Sequence, residues 1–218
     1  MNPKKVLFIN NKGGVGKSTM VDEMCFQCDI RGIPYSMHNL DPQGTLLHDT
    51  VNNPDAVLDF IDTPGHLQDK AKKYIEAADC IVIPTAMTQN CLSSIEMMLA
   101  MCLDVIDKKP VILLYNFWDG GLACEHFQDY MDGVISKSDF AGKIQIVHVS
   151  RSVNFANARE HGQAVEQYRR NCKSAGEIED LFCHIMDRLD MYDWYTEFMK
   201  NQPRITQEVE LTVVPVEF

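Results

Sequence analysis

The chain has 218 residues, 45% hydrophobic and 23% charged, with a net charge of −11. That length suits one α/β domain with a sizeable core. So acidic a balance excludes nucleic-acid binding by the whole-protein field, and any such role needs a local basic patch.

The first predicted strand is the apolar run Val6–Asn10, which ends in a glycine-rich loop as a buried parallel strand should. No secretory apolar region precedes that loop, so a cytoplasmic location is expected. Met20, Val21, Met24, Cys25 and Cys28 follow at helical spacing, and Arg31-Gly32 stops the helix. Tyr35–Asp41 and Val57–Asp62 read as strands, the second closed by "TPG". Leu67, Ala71, Tyr74, Ile75 and Ala78 mark a helix, and Cys80–Pro84 a strand. A helix over Ile95, Met98, Leu99, Cys102 and Ile106 leads to the most apolar strand, Val111–Asn116. Phe127, Tyr130, Met131, Val134 and Ile135 give another helix, Ile144–Val149 a strand, and Ile178 to Leu189 the last clear helix. Strands alternating with helices in this way predict a mostly parallel, doubly wound sheet, with ligands beyond the carboxyl ends of its strands. No apolar run approaches the ~20 residues that cross a bilayer. The eight cysteines lie mostly in apolar segments and read as reduced core residues. Cys25-Phe26-Gln27-Cys28 has no second pair at zinc spacing.

The stretch "FINNKGGVGKST" (Phe8 to Thr19) departs from the phosphate-loop pattern G-x-x-x-x-G-K-S/T, which needs a glycine where the chain has Asn11. It also carries an additional lysine, Lys12. Gly13, Gly14 and Gly16, with Val15 between them, let the backbone turn tightly and aim N–H groups at phosphate oxygens. The helix starting near Lys17 adds its positive end. Lys17 would reach the β and γ phosphates, Ser18 would ligate Mg²⁺, and Thr19 would donate to the α phosphate. Asp62 ends an apolar strand, where a carboxylate can hold Mg²⁺ directly or through water. Asp41, in "NLDPQG", is placed to orient an attacking water.

In this order "NKGGVGKST", "LDPQG" and "FIDTPG" resemble the ParA/MinD family of deviant Walker-type ATPases. "VSRSVNFANAREHGQAVEQYRRNCKSAGEIEDL" looks like the segment that follows the last core strand in partition proteins. The resemblance covers about residues 4–189, so residues 1–189 are expected to form the P-loop ATPase domain. It implies ATP and Mg²⁺ as cofactors and makes Lys12 the signature lysine, which each of two ATP-bound subunits sends to the other's phosphates. A cation supplied in trans would neutralise charge developing in the transition state. Asp41 then matches the water-orienting aspartate, Asp62 the Mg²⁺-linked one, and Asn116 an asparagine facing adenine. Only about twenty residues separate Asp41 from Asp62, fewer than partition ATPases usually place there, so a strand or helix is expected to be shortened. "NFWD" (residues 116–119) resembles the N-K-x-D of GTPases but lacks its lysine, which favours ATP over GTP.

Residues 151–173 hold five bases (Arg151, Arg159, Arg169, Arg170, Lys173) against two acids, a footprint suited to nonspecific DNA. The resemblance implies a nucleoid-associated homodimer on ATP, and a centromere-binding adaptor protein that stimulates slow hydrolysis for plasmid partition. Conjugation machinery or a protein cluster is the alternative cargo. A non-hydrolysing scaffold is a further reading, which Asp41 argues against. Membrane attachment by an apolar face over Ile185, Leu189, Tyr192, Tyr195 and Met199 is disfavoured, because residues 190–218 carry six acids and two bases. That acidic tail is expected to pack on its own or a partner subunit, with a strand-like end after Pro203. An iron–sulfur reductase using Cys91 and Cys124 is the remaining reading.

Overall fold

The computed structural model describes residues 2–41, 46–67 and 70–202. Within them, β1 (Lys4–Phe8), β2 (Tyr35–Asn39), β3 (Leu58–Asp62), β4 (Cys80–Ala86), β5 (Val111–Trp118) and β6 (Ile144–Ser150) form one sheet. Its order is β2-β3-β1-β4-β5-β6, with every neighbouring pair parallel. The helices are α1 (Lys17–Arg31), α2 (Ala71–Ala77), α3 (Leu92–Cys102), α4 (Leu122–Ser136), α5 (Val153–Glu160), α6 (Val165–Tyr168), α7 (Lys173–Arg188) and α8 (Tyr192–Asn201).

Strand periodicity sorts the core into two layers. Val6 and Phe8 face the layer built with α1, α7 and α8, whereas Leu7 and Ile9 face the one built with α2, α3 and α4. With both faces covered, β1, β4 and β5 have no solvent side, hence their unbroken apolar runs. Each large apolar side chain so buried contributes about 1.5–3 kcal/mol relative to exposure.

Helix α1 ends as the Arg31-Gly32 pair predicts. Gly32 takes a φ of 65°, its N–H reaches the Asp29 carbonyl, and the Ile33 N–H bonds the Cys28 carbonyl at 2.9 Å. The expected shortening between Asp41 and Asp62 has a concrete form. Among the described residues no helix joins β2 to β3; Val51 instead makes an antiparallel bridge to Met37, against the outer edge of β2. That contact covers part of an edge that would otherwise stand open.

At the other end the apolar positions do not continue one helix. Asp190 takes a φ of 56° and breaks the run between α7 and α8. The chain then folds back, so Leu189, Met191 and Tyr195 join the same core layer as Ile185. The Tyr195 hydroxyl accepts a hydrogen bond from Arg31 Nε at 3.0 Å, and its ring meets Phe182 edge-on. The apolar face read as a membrane element is therefore largely turned inward, with Tyr192 and Met199 left exposed. No described helix is long and apolar enough to cross a membrane. The strand-like ending after Pro203 lies outside the described residues.

Candidate active site

The loop between β1 and α1 is held from beneath by Asn10, a wholly buried side chain. Its Nδ2 donates to the Pro84 carbonyl at 2.8 Å, and its Oδ1 accepts from the Ser94 hydroxyl at 2.6 Å and the Lys12 N–H at 2.9 Å. Sequence reasoning missed this residue, whose only signal was a polar side chain closing an apolar strand. Gly16 takes a φ of 91°, and a Cβ there would stand 2.1 Å from Asn116 Nδ2. Asn116 donates from Nδ2 to the Val15 carbonyl at 3.0 Å, and its Oδ1 accepts from the Phe117 N–H at 2.9 Å. Gly65 of "DTPG" also packs closely, though less so, since its Cβ would lie 3.2 Å from the Gly13 nitrogen. The glycine loop, Asn116 and the "DTPG" turn thus meet one another.

Two lysines of that loop have opposite environments. Lys17 is 6% exposed, and its ammonium donates to the Lys12 carbonyl at 3.2 Å. Burial lowers its pKa, against the opposing pull of Asp62 and Asp41. The Lys12 side chain is exposed. No side chain caps α1, whose N-terminal N–H groups follow Gly16 directly. Such an end is an anion site by geometry and dipole.

Asp62 is fully buried. Its Oδ2 accepts from the Ser18 hydroxyl at 2.6 Å, while its Oδ1 has no hydrogen-bond partner among the described residues. Burial pushes its pKa up to about 6, opposed by the Ser18 bond and Lys17 and reinforced by Asp41. An unpartnered buried carboxylate oxygen beside a hydroxyl is a hard oxygen set that fits Mg²⁺. Asp41 follows β2, with its N–H on Asn39 Oδ1 at 2.9 Å, and lies in electrostatic reach of Lys17 and Asp62.

Beside the loop lies a cavity of about 720 Å³ whose lining includes Gly14, Thr19, Asn116, Phe117, Arg151, Val153 and Arg159. The five bases of the segment 151–173 therefore divide. Arg151 and Arg159 line this cavity, and Arg159 is ion-paired to Asp22 at 2.9 Å. Arg169 and Arg170 are exposed between α6 and α7, and Lys173 at the start of α7 reaches the Ser150 hydroxyl at 2.8 Å.

Asp22 is a second residue the sequence did not flag. Besides Arg159 it accepts from the Leu47 and His48 N–H groups and from the His48 ring, joining α1, α5 and the segment that follows residue 45. Burial opposes charge on His48, but its bonds to Asp22 and Asp29 overcome this and lift its pKa to about 9. One helical step on, Glu23 is pushed up to about 7 by burial, opposed by the Val165 N–H it accepts. Cys25 and Cys28 are buried thiols raised well above their ordinary value by that burial, as inert core residues are. Cys91 accepts from Thr88 and Cys124 donates to Asp119. Among the described residues no group of three or more His, Cys, Asp or Glu is arranged to hold a metal.

Residues 6–165 match the family described as CobQ/CobB/MinD/ParA nucleotide binding domain. No curated protein matches the sequence. Similar folds occur in an ATP complex of McdA from Cyanothece, with TM-score 0.66 at 13% identity over 87% of this chain and 97% of that one. A putative plasmid partition protein from Borrelia burgdorferi B31 bound to AMPPNP gives 0.57 at 12%, over 84% and 100%. The septum site-determining protein MinD of Pyrococcus horikoshii OT3, complexed with Mg-ADP, gives 0.62 at 14%, over 84% and 96%. Matched by that family model over residues 6–165, well over half of its length, and built on a fully parallel sheet, the chain belongs to the ParA/MinD family of P-loop nucleotide-binding proteins.

Proposed function

We propose that the chain is a Mg-ATP-dependent ATPase that closes into a dimer on nucleotide and uses that cycle to segregate or position DNA. The observation that carries this reading is the division of labour in one loop: Lys17 buried within its own subunit, Lys12 exposed beside it. A lysine that served its own subunit's phosphates would be expected to turn inward. Lys12 instead suits the phosphates of a second copy, where a cation supplied in trans is worth about 10³–10⁵ in rate.

The backbone N–H groups from Gly13 to Thr19 bind the phosphates. Lys17 exchanges its bond to the Lys12 carbonyl for the β and γ phosphates. Asp41 orients the attacking water. Ser18 and Asp62 hold Mg²⁺, which when bound neutralises charge on the transferring phosphoryl group. Lacking the lysine of N-K-x-D, the loop at residues 116–119 favours ATP over GTP. Arg169, Arg170 and Lys173 contact DNA without reading its sequence, and dimerisation doubles that weak patch. A centromere-binding adaptor protein completes the cycle by stimulating hydrolysis.

The test is turnover and mass together. Wild type with Mg-ATP should dimerise and release phosphate, and Asp41→Ala should dimerise without releasing it. Phosphate release by Asp41→Ala at the wild-type rate would overturn the assignment.

A further inference from the structure

Phe117 is one of two non-glycine residues with positive φ among the described residues, and the two have different explanations. Asp190 lies at the break between two helices. Phe117 lies within β5, after the buried apolar run Val111–Tyr115 and the buried Asn116, where a bulky side chain at a φ of 63° is a true outlier. The ladder to β6 shifts register between Asn116 and Trp118, so a bulge surrounds it. A bulge of this kind re-aims a side chain.

The new direction is toward the candidate site. The Cζ of the ring lies 3.7 Å from where a Cβ on Gly16 would be, and the ring lines the cavity beside the loop. It is 37% exposed and belongs to neither layer of the core. Packing therefore does not account for the strain. The same cavity is lined by Val153, which is 74% exposed, and Ala156 of α5. An exposed aromatic ring that shares a cavity with small apolar side chains can receive a planar ring.

The geometry points to Phe117 as the platform on which the base of the bound nucleotide stacks, a role that rests on the nucleotide reading given above. The neighbouring Asn116 is committed to bracing Val15 and Phe117, so stacking area becomes the main grip on the base. Stacking rewards ring size, so the cavity selects purine over pyrimidine nucleotides.

Calorimetric titration of the full chain with ATP, CTP and inorganic tripolyphosphate, each with Mg²⁺, tests this. Wild type should bind ATP more tightly than CTP. Phe117→Ala should weaken ATP about tenfold or more, and Phe117→Trp should keep wild-type affinity. Phe117→Leu, of similar bulk, should lose ATP affinity in the same direction as the alanine variant. Tripolyphosphate should bind all four proteins alike, since it has no base and reports an intact loop. ATP bound equally by wild type and both truncated variants would overturn the platform. Equal losses of ATP and tripolyphosphate would overturn it too, showing that Phe117 shapes the loop instead. Failure of wild type to bind either ligand would instead bring down the nucleotide reading itself, and the platform with it.

Discussion

The ammonium of Lys17 donates to the backbone carbonyl of Lys12 at 3.2 Å, so the two lysines of one loop are joined although their side chains occupy opposite environments. The inner cation is buried near Asp62 and Asp41, and the outer one is left to solvent.

That split predicts different defects. Lys17→Ala should lose nucleotide affinity, because it removes the buried cation of the phosphate site. Lys12→Ala should keep nucleotide affinity and lose turnover by about 10³-fold or more. Calorimetry with a non-hydrolysable analogue, beside a phosphate-release assay, separates the two. Matching losses of affinity in both variants would show that Lys12 serves its own subunit.

Asp62 predicts a pH dependence. Its carboxyl titrates near 6 in the folded chain because burial disfavours the charge. Mg²⁺ needs the carboxylate, so Mg²⁺-supported ATP affinity should fall as pH drops from 7.5 to 5. Asp62→Asn should bind weakly at both ends and lose that slope. A wild-type affinity indifferent to pH over this window would remove Asp62 from the metal site.

Glu23 makes the opposite kind of pH prediction, for stability. Its folded pKa, about 7, lies above the value of an exposed glutamate, so the folded state holds the proton more tightly than the unfolded chain. Stability is then lost as pH rises through 7 and regained as it falls toward 5. Glu23→Gln keeps an oxygen for the Val165 N–H and should stabilise the protein at pH 8 by about 1–3 kcal/mol, with little effect at pH 5. Denaturant melts at the two pH values measure this. A variant destabilised at pH 8 would show that the charged form is held favourably.

For DNA, Arg169→Ala combined with Arg170→Ala should weaken binding of the ATP-bound protein alike on unrelated sequences. The slope of log affinity against log salt should fall by about 2 per subunit. Fluorescence anisotropy on two duplexes of different sequence provides the check. Losses confined to one sequence would mean these arginines read bases.

The fold was legible where one physical demand dominated. The central strands had to be apolar on both faces, so β4 and β5 begin where Cys80 and Val111 begin their apolar runs. The glycine loop between β1 and α1 was legible because an apolar strand running into glycines before a helical period is a local pattern. The nonlocal devices were not. Asn10 looks like the last residue of a strand until Pro84 and Ser94, distant in sequence, are seen to meet it. Asp22 reads as an exposed helix position until α5 brings Arg159 onto it. Phe117 was read only as part of "NFWD", just past the predicted strand, because backbone strain leaves no mark in composition or spacing. How the basic segment divides in space was likewise not legible: Arg159 of α5 lines the cavity, while Arg169 and Arg170 are exposed beyond it.

The account's central claim is that each active site is completed by a lysine from another subunit, and mixing two dead variants tests it most directly. Lys12→Ala retains Asp41 but lends no lysine; Asp41→Ala lends the lysine but orients no water. In a mixed dimer, the Lys12→Ala subunit should receive Lys12 from its neighbour and so possess one complete site. Phosphate release by the mixture should therefore rise well above the sum of the two variants measured alone. A mixture no more active than that sum, with mixed dimers verified by differential tags, would place Lys12 in its own subunit's site and contradict the account.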